Sequence, residues 1–373
     1  MLRTRGPLAE ATAVFFVTIV VNQICFGDEE SLPAWNYESD SSMGPHEWKL
    51  SFEDCGGKHQ SPIDIRDDIA QEITDWPHLE FVNYVRPITQ LKLTNNGYSV
   101  KFSMPDSIEL RIRGLTMENW FVLRQFHFHW GATNDVGSEH AINGRHYPLE
   151  IHFVHVAMDP ENEKFQYNVV ALLCRLSEND NELLKIVQDN AFDIQYRGSS
   201  IVIDEFVNVS RVFPNHISPY YHYIGSFTTP ECTESVSFIV YEDQCQVSEQ
   251  QLIVLRSLYQ SGAHQRHKHL LHNYRPLQPL NRRSLYRIDP AKYSSAAEQE
   301  QLQTHQDPSS HETDGADTEF YDKSIESSDS NEVIADSQKS PSVSVLANTA
   351  ILSYILSIIF AILFDDTISL LFY

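Results

Sequence analysis

The residues most capable of chemistry are three histidines in two apolar runs. In QFHFHW, strand geometry sends alternate side chains to opposite faces, so Gln125, His127 and His129 share one face and Phe126, Phe128 and Trp130 the other. Imidazoles at i and i+2 stand roughly 6.5–7 Å apart at their α-carbons, close enough for both to reach one ion at ~2.0–2.1 Å. In LEIHFVHVAM the same alternation puts Glu150, His152 and Val154 on one face and His155 on the other. His152 from a neighbouring strand completes three neutral nitrogen ligands. Three ligands and an open fourth position are the arrangement of a catalytic rather than a structural zinc. Zinc lowers the pKa of its water to about 7, which yields a nucleophile near neutral pH. Gln125 and Glu150 share faces with these histidines and are placed to accept their second N–H, which fixes tautomer and ring direction. The competing reading is a pair of hydrogen-bonded core histidines. A second cluster, His264, His267, His269 and His272 among Arg266 and Lys268, has cations that oppose a metal ion and reads as a solvated basic surface.

The elements that position these residues are mostly strands. Short alternating runs (LKLTNNGYSVKF, IELRIRGL, FVLRQFHFHW, LEIHFVHVAM, VVALLCRL, SVSFIVYE) recur through the middle of the chain. One helix is predicted in VSEQQLIVLRSLYQSG, where Ser248 and Gln251 can form a capping box and Gly262 stands past the end. Many strands with few helices predict an α+β fold, a single domain around one large sheet rather than alternating βα units.

Charge and composition bound the rest. A formal net charge of −24 over 373 residues repels nucleic-acid phosphates. At the start, Arg3 and Arg5 precede an apolar run from Ala11 to Ile24, and Cys25-Phe26-Gly27 supplies small residues for cleavage after Gly27. Residues 1–27 therefore read as a secretory signal and 28–290 as the folded domain. Beyond it, 291–344 carry twelve Asp/Glu against three Lys and few apolar residues, the composition of a disordered stalk. Residues 345–373 open with twenty nearly charge-free positions, Val345 to Phe364, long enough to cross a bilayer. DDTISLLFY follows without a basic residue, which points to a glycolipid-anchor signal. Asp365 and Asp366 keep a single-pass helix open. Cys55 and Cys232 lie in loops and favour pairing in an oxidising compartment. Cys174, inside VVALLCRL, reads by default as a small buried hydrophobe. Asn208-Val209-Ser210 is a glycosylation sequon.

GPHEW, QSPIDI, LTNNGYSV, QFHFHWG, GSEH, LEIHFVHV, SFTTP and NYRPLQPLNRR, in this order over 35–290, resemble an α-class carbonic anhydrase of the extracellular, membrane-anchored type. The resemblance implies a ten-stranded, mostly antiparallel twisted sheet with peripheral short helices. It implies Zn2+ on His127, His129 and His152 at the base of a cleft, and reversible hydration of carbon dioxide to bicarbonate and a proton at the cell surface. Thr228 would accept a hydrogen bond from the nucleophile and donate its own proton to Glu139, the only consistent direction for a hydroxyl between those groups. Thr229 would help seat bicarbonate, and Asn273 would accept from a ligand histidine through its backbone. Cys55 and Cys232 fall where extracellular members carry their disulfide, while a Cys174–Cys245 bridge stays open.

Several positions depart from the family pattern. Tyr98 stands where fast members have a shuttle histidine; a phenol of pKa ~10 matches water of pKa ~7 poorly. Phe227 replaces a leucine beside the zinc, and Phe238 a tryptophan on the apolar wall. Val154 and Ala171 correspond to the valine-type positions of the substrate pocket. Arg124 and Lys101 would lie toward the cleft mouth. The alternative function is a non-catalytic relative used for adhesion or ligand display, but such relatives typically lack a zinc histidine and this chain has all three.

Overall fold

The alternating runs fold as strands because each can bury one face, and some bury both. In the computed structural model, which describes residues 34–214 and 218–292, the strands in chain order are β1 (Asp64–Ile65), β2 (Gln71–Ile73), β3 (Glu80–Val82), β4 (Leu91–Asn95), β5 (Val100–Ser103), β6 (Arg111–Gly114), β7 (Met117–Trp130), β8 (Ala141–Ile142), β9 (Leu149–Ala157), β10 (Tyr167–Leu176), β11 (Ser200–Ile203), β12 (Tyr220–Ser226), β13 (Glu234–Tyr241), β14 (Cys245–Val247) and β15 (Tyr286–Ile288). Among the described residues three short α-helices accompany them: α1 (Trp48–Ser51), α2 (Glu182–Asp189) and α3 (Glu249–Ser257). The expected signal over 1–27, the stalk beyond Lys292 and the apolar segment over 345–373 lie outside the described residues. No helix among the described residues is long and apolar enough to cross a membrane.

Ten strands form the path β11-β4-β5-β7-β9-β10-β13-β12-β15-β2 of a 13-stranded sheet, from which β3, β6 and β14 branch. The sheet is mostly antiparallel, with parallel pairs at β10–β13, β10–β14 and β15–β2. β9 shows how the layers divide. Its Leu149, Ile151 and Phe153 enter the larger core with Phe126, Phe128 and Trp130. Val154, on the other face, joins a second apolar cluster with Ala171, Val236 and Phe238. His155 falls on the larger-core side, where Tyr84 donates to its Nε2 and burial pulls its pKa down to about 3.

Two sequence expectations need correction. Cys174 is not a lone buried hydrophobe. It sits directly opposite Cys245 in the parallel β10–β14 pair and is bonded to it. The predicted helix forms with its capping box, Ser248 and Gln251 each accepting from the other's backbone N–H, but it stops at Ser257. Leu258 is extended, its carbonyl taken by Leu270 N–H at 2.8 Å, and Tyr259 bridges to His269. Tertiary pairing thus ends the helix before Gly262. Helix α2, absent from the sequence reading, is capped by Asn181, whose side chain accepts from Leu183 and Leu184 N–H.

Cys55 and Cys232 are bridged as well, closing 177 residues against 71 for the second bridge. In the chain-entropy model, loops this long stabilise by about 4–5 kcal/mol each, less where the unfolded chain retains structure. Peptide mapping without reduction should recover both pairs. Replacing Cys174 and Cys245 together by Ser should lower urea-unfolding stability by about 2–4 kcal/mol. Recovery of Cys174 as a free thiol would contradict this assignment.

Candidate metal centre

β7 and β9 run antiparallel, with His127 opposite His152 and His129 opposite Glu150. Their register shifts between Leu123 and Gln125, so Arg124 is an extra residue on β7. Such a bulge re-aims side chains. Leu123 turns into the larger core, although it shares parity with Gln125, His127 and His129, which face the other way. The ring centroids of His127, His129 and His152 lie 4.9, 5.3 and 4.6 Å apart, and one ligand nitrogen from each lies within 4.8 Å of the others.

The remaining nitrogens settle the tautomers. His127 Nδ1–H donates to Gln125 Oε1 at 2.8 Å, and His129 Nδ1–H to the Asn273 carbonyl at 2.7 Å. His152 Nε2–H donates to Glu150 Oε1 at 2.6 Å. Each partner is an oxygen that accepts, so each proton is fixed there and a lone pair is left on His127 Nε2, His129 Nε2 and His152 Nδ1. His129 Nε2 is buried with no hydrogen-bond partner. Three neutral nitrogens converging this way fit a zinc ion with an open position.

Electrostatics follow burial. Desolvation, with the neighbouring imidazoles and Lys101 adding to it, holds His127 well below the usual histidine range. Burial also lowers His129, partly opposed by the Glu139 charge. For His152 burial again pulls downward, but the charge and hydrogen bond of Glu150, with Glu139, outweigh it and the net direction is up. Glu150 is held well below the carboxylate range; burial raises it, and His140 and His152 more than compensate.

Around the trio lie two fully buried carboxylates. Glu139 accepts Arg275 N–H on Oε1 at 2.8 Å, while its Oε2 has no hydrogen-bond partner and lies 3.5 Å from His129 Nε2 and 3.8 Å from His152 Nδ1. Glu150 does more than the sequence reading assigned it. Its Oε2 takes His140 N–H at 2.8 Å and its Oε1 takes His140 Nδ1–H at 2.6 Å, alongside His152. The Tyr223 hydroxyl then meets His140 Nε2 at 2.7 Å and the Ser61 hydroxyl at 2.8 Å. His140, Glu150 and His152 also cluster closely enough for a metal, but these hydrogen bonds already occupy their facing atoms. His140, Tyr223 and Ser61 were missed as site residues. The only signal was that His140 closes GSEH and Ser61 stands in QSPIDI.

The other expected residues are placed as follows. Asn273 holds the site with its side chain too, accepting Trp130 N–H at 2.7 Å and donating to the Tyr98 and Phe128 carbonyls. Thr228 is buried and Thr229 half-buried. Phe238 lies 5.9 Å from the His152 ring, and Phe227 packs on Tyr167 at 4.7 Å beside the Val154–Ala171 cluster. Tyr98 stacks on Trp35 at 4.0 Å and donates its hydroxyl to the Trp35 carbonyl at 3.3 Å. Lys101 pairs opposite His127, and Arg124 is exposed. Asn208 Oδ1 accepts from the Ser210 N–H and hydroxyl. His264, His267, His269 and His272 are exposed, in keeping with a solvated surface.

Residues 43–289 match the family model of the eukaryotic-type carbonic anhydrases. Carbonic anhydrase 12 of Homo sapiens is 31% identical over 287 residues, 74% of this chain and 79% of that protein. Carbonic anhydrase 6 of Bos taurus is 31% identical over 258 residues, 67% of this chain and 78% of that protein. Carbonic anhydrase 5A of Homo sapiens, a mitochondrial protein, is 33% identical over 265 residues, 68% of this chain and 83% of its own length. With the family model spanning most of the chain and the three imidazoles arranged as described, this protein belongs to the eukaryotic-type, α-class carbonic anhydrases.

Proposed function

We propose that the protein catalyses the reversible hydration of carbon dioxide to bicarbonate and a proton. The observation that carries this reading is the convergence of three lone-pair nitrogens, each fixed by a hydrogen bond on its other nitrogen. His127 Nε2, His129 Nε2 and His152 Nδ1 would hold a zinc ion. Bound there, zinc supplies the Lewis acidity that makes a water nucleophilic near neutral pH.

The chain's own residues do the rest. Among the described residues Glu139 Oε2 accepts from no group, Thr228 included, and this reading assigns it as the acceptor that the Thr228 hydroxyl reaches during the reaction. A hydroxyl that donates there can only accept from the attacking oxygen, so its lone pairs orient the nucleophile. Val154, Ala171, Phe227 and Phe238 form an apolar wall that takes carbon dioxide without competing for hydrogen bonds. Thr229 helps seat bicarbonate. Proton export is the weaker half, because Tyr98 is a phenol whose hydroxyl is already spent on the Trp35 carbonyl.

The two disulfides support an oxidising compartment. With the N-terminal signal and the C-terminal apolar segment of the sequence, they support a place on the outer face of the plasma membrane. Attachment there is by a glycolipid anchor, with residues 291–344 as an acidic spacer and Asn208 as a glycan site.

Three measurements test this. His127→Ala should abolish zinc binding, and Glu150→Gln should weaken it by about 10–100-fold, both read by equilibrium competition with a chelating dye. Stopped-flow hydration should give a slow-to-moderate turnover that rises with added imidazole. Tyr98→His should raise turnover without changing kcat/KM, and an unchanged turnover with no imidazole effect would remove proton export as the limit. A phospholipase specific for glycolipid anchors should release the protein from cells. Retention with an intact DDTISLLFY terminus would establish a spanning helix instead.

A further inference from the structure

We propose that Arg275 is the positioning residue for Glu139, holding that carboxylate by its backbone while its guanidinium is clamped to the Cys55–Cys232 loop. This rests on the carbon dioxide hydration reading. It extends that reading to a residue in neither the metal-binding nor the substrate-facing set.

Glu139 is fully buried, yet among the described residues its carboxylate accepts one hydrogen bond, from Arg275 N–H to Oε1 at 2.8 Å. The direction of Oε2, the oxygen assigned to Thr228, therefore depends on where the Arg275 peptide sits. That peptide is placed by its own side chain, which is only 2% exposed. Nη1 donates to Gln60 Oε1 at 2.7 Å and to the Ser61 carbonyl at 2.9 Å, and Nη2 donates to the Cys55 carbonyl at 3.1 Å. The guanidinium also lies over the Trp48 ring, 5.5 Å from its centre.

These acceptors belong to the site's frame. Cys55 is bonded to Cys232, four residues after Thr228. Gln60 Nε2 donates to the Cys232 carbonyl at 3.3 Å and to Glu234 at 3.0 Å. Ser61 carries the hydroxyl that meets Tyr223, which in turn meets His140 and, through it, Glu150. One guanidinium thus references the Glu139 carboxylate to the loop bearing Thr228 and to the network bearing His152.

The fork explains why arginine stands here. Three oxygens in divergent directions suit a planar group with five N–H donors, and a lysine ammonium cannot span them. Burying a cation is costly, and an apolar residue of similar volume often serves stability as well or better. None of the fork's hydrogen bonds goes to a carboxylate, and Nε has no partner. The Glu139 charge favours a cation here without a direct ion pair, so it gives no reason for the three placed hydrogen bonds of the fork. Registration of the N–H on Glu139 gives one, since displacement of a catalytic acceptor by about 1 Å can cost about 100-fold in rate.

The test uses the zinc-loaded protein and the variants Arg275→Lys, Gln60→Ala and their combination. Zinc stoichiometry and affinity should stay within about threefold of wild type, because Arg275 touches none of the three histidines, whereas kcat/KM should fall by about 10–100-fold in Arg275→Lys, the range seen for outer-shell partners. Gln60→Ala removes one acceptor of the fork and should cost a smaller part of the same loss. The double variant should be no worse than Arg275→Lys alone, because coupled sites are not additive. If Arg275→Lys does not fold, Gln60→Ala carries the test. A folded Gln60→Ala protein with wild-type kcat/KM overturns the proposal, as does an Arg275→Lys protein whose zinc affinity falls in step with its activity. Wild-type protein that binds zinc and hydrates no carbon dioxide sinks the parent reading as well, so the two failures are distinguishable.

Discussion

Everything at the centre depends on one nitrogen of each imidazole being spent on an oxygen that can only accept. The Gln125 amide oxygen, the Asn273 carbonyl and the Glu150 carboxylate take the three N–H groups, and the lone pairs that remain converge. A histidine free to choose its tautomer would present a proton to the centre about as readily as a lone pair. The acceptors differ in how they are held. Gln125 and Glu150 come from the same strands as their histidines, so the pleat places them. Asn273 lies 144 residues from His129 and must be brought in by a loop, which its side chain ties to Trp130, Phe128 and Tyr98.

Two fully buried carboxylates lie within this small volume, and burying an anion is costly unless it is paired and hydrogen-bonded. Glu150 is fully compensated, with three donors from His140 and His152. Glu139 is less so: one backbone N–H and the Arg275 charge reach it, and one oxygen stays without a hydrogen-bond donor, facing His129 and His152. Native interiors leave such an atom rarely, and a catalytic role or a bound ion is among the reasons for one. The contrast separates the two groups by role. Glu150 has its donors in place, whereas Glu139 keeps one oxygen without a donor, which is the oxygen the proposed reading uses.

Much of this was legible in the sequence, and the reason is the period of a strand. Alternation alone sorted His127, His129 and Gln125 from Phe126, Phe128 and Trp130, and sorted His152 from His155. It could not show the bulge at Arg124, which preserves that sorting while sending Leu123 to the opposite face. Ser248 and Gln251 announced a helix start because capping is local. Its end at Ser257 is set by pairing with residues near Leu270, which no local signal reports. Cys174 was misread for a similar cause: its partner lies 71 residues away on a parallel strand, and parallel pairing leaves no turn to betray it. His140 and Arg275 escaped notice because their roles lie in contacts across the fold.

His155 shows why residue type was never sufficient. It stands three positions from His152 on the same strand, equally buried, yet it is a core histidine. Its Nε2 takes the Tyr84 hydroxyl and its Nδ1–H goes to the Asn168 carbonyl at 3.3 Å, so both nitrogens are consumed. His140 is consumed likewise, between Glu150 and Tyr223. His152 has one acceptor and a free lone pair. The number of partners, rather than burial or strand position, divides an imidazole that packs from one that can bind a metal, and the sheet sets that number by the face on which it places each ring.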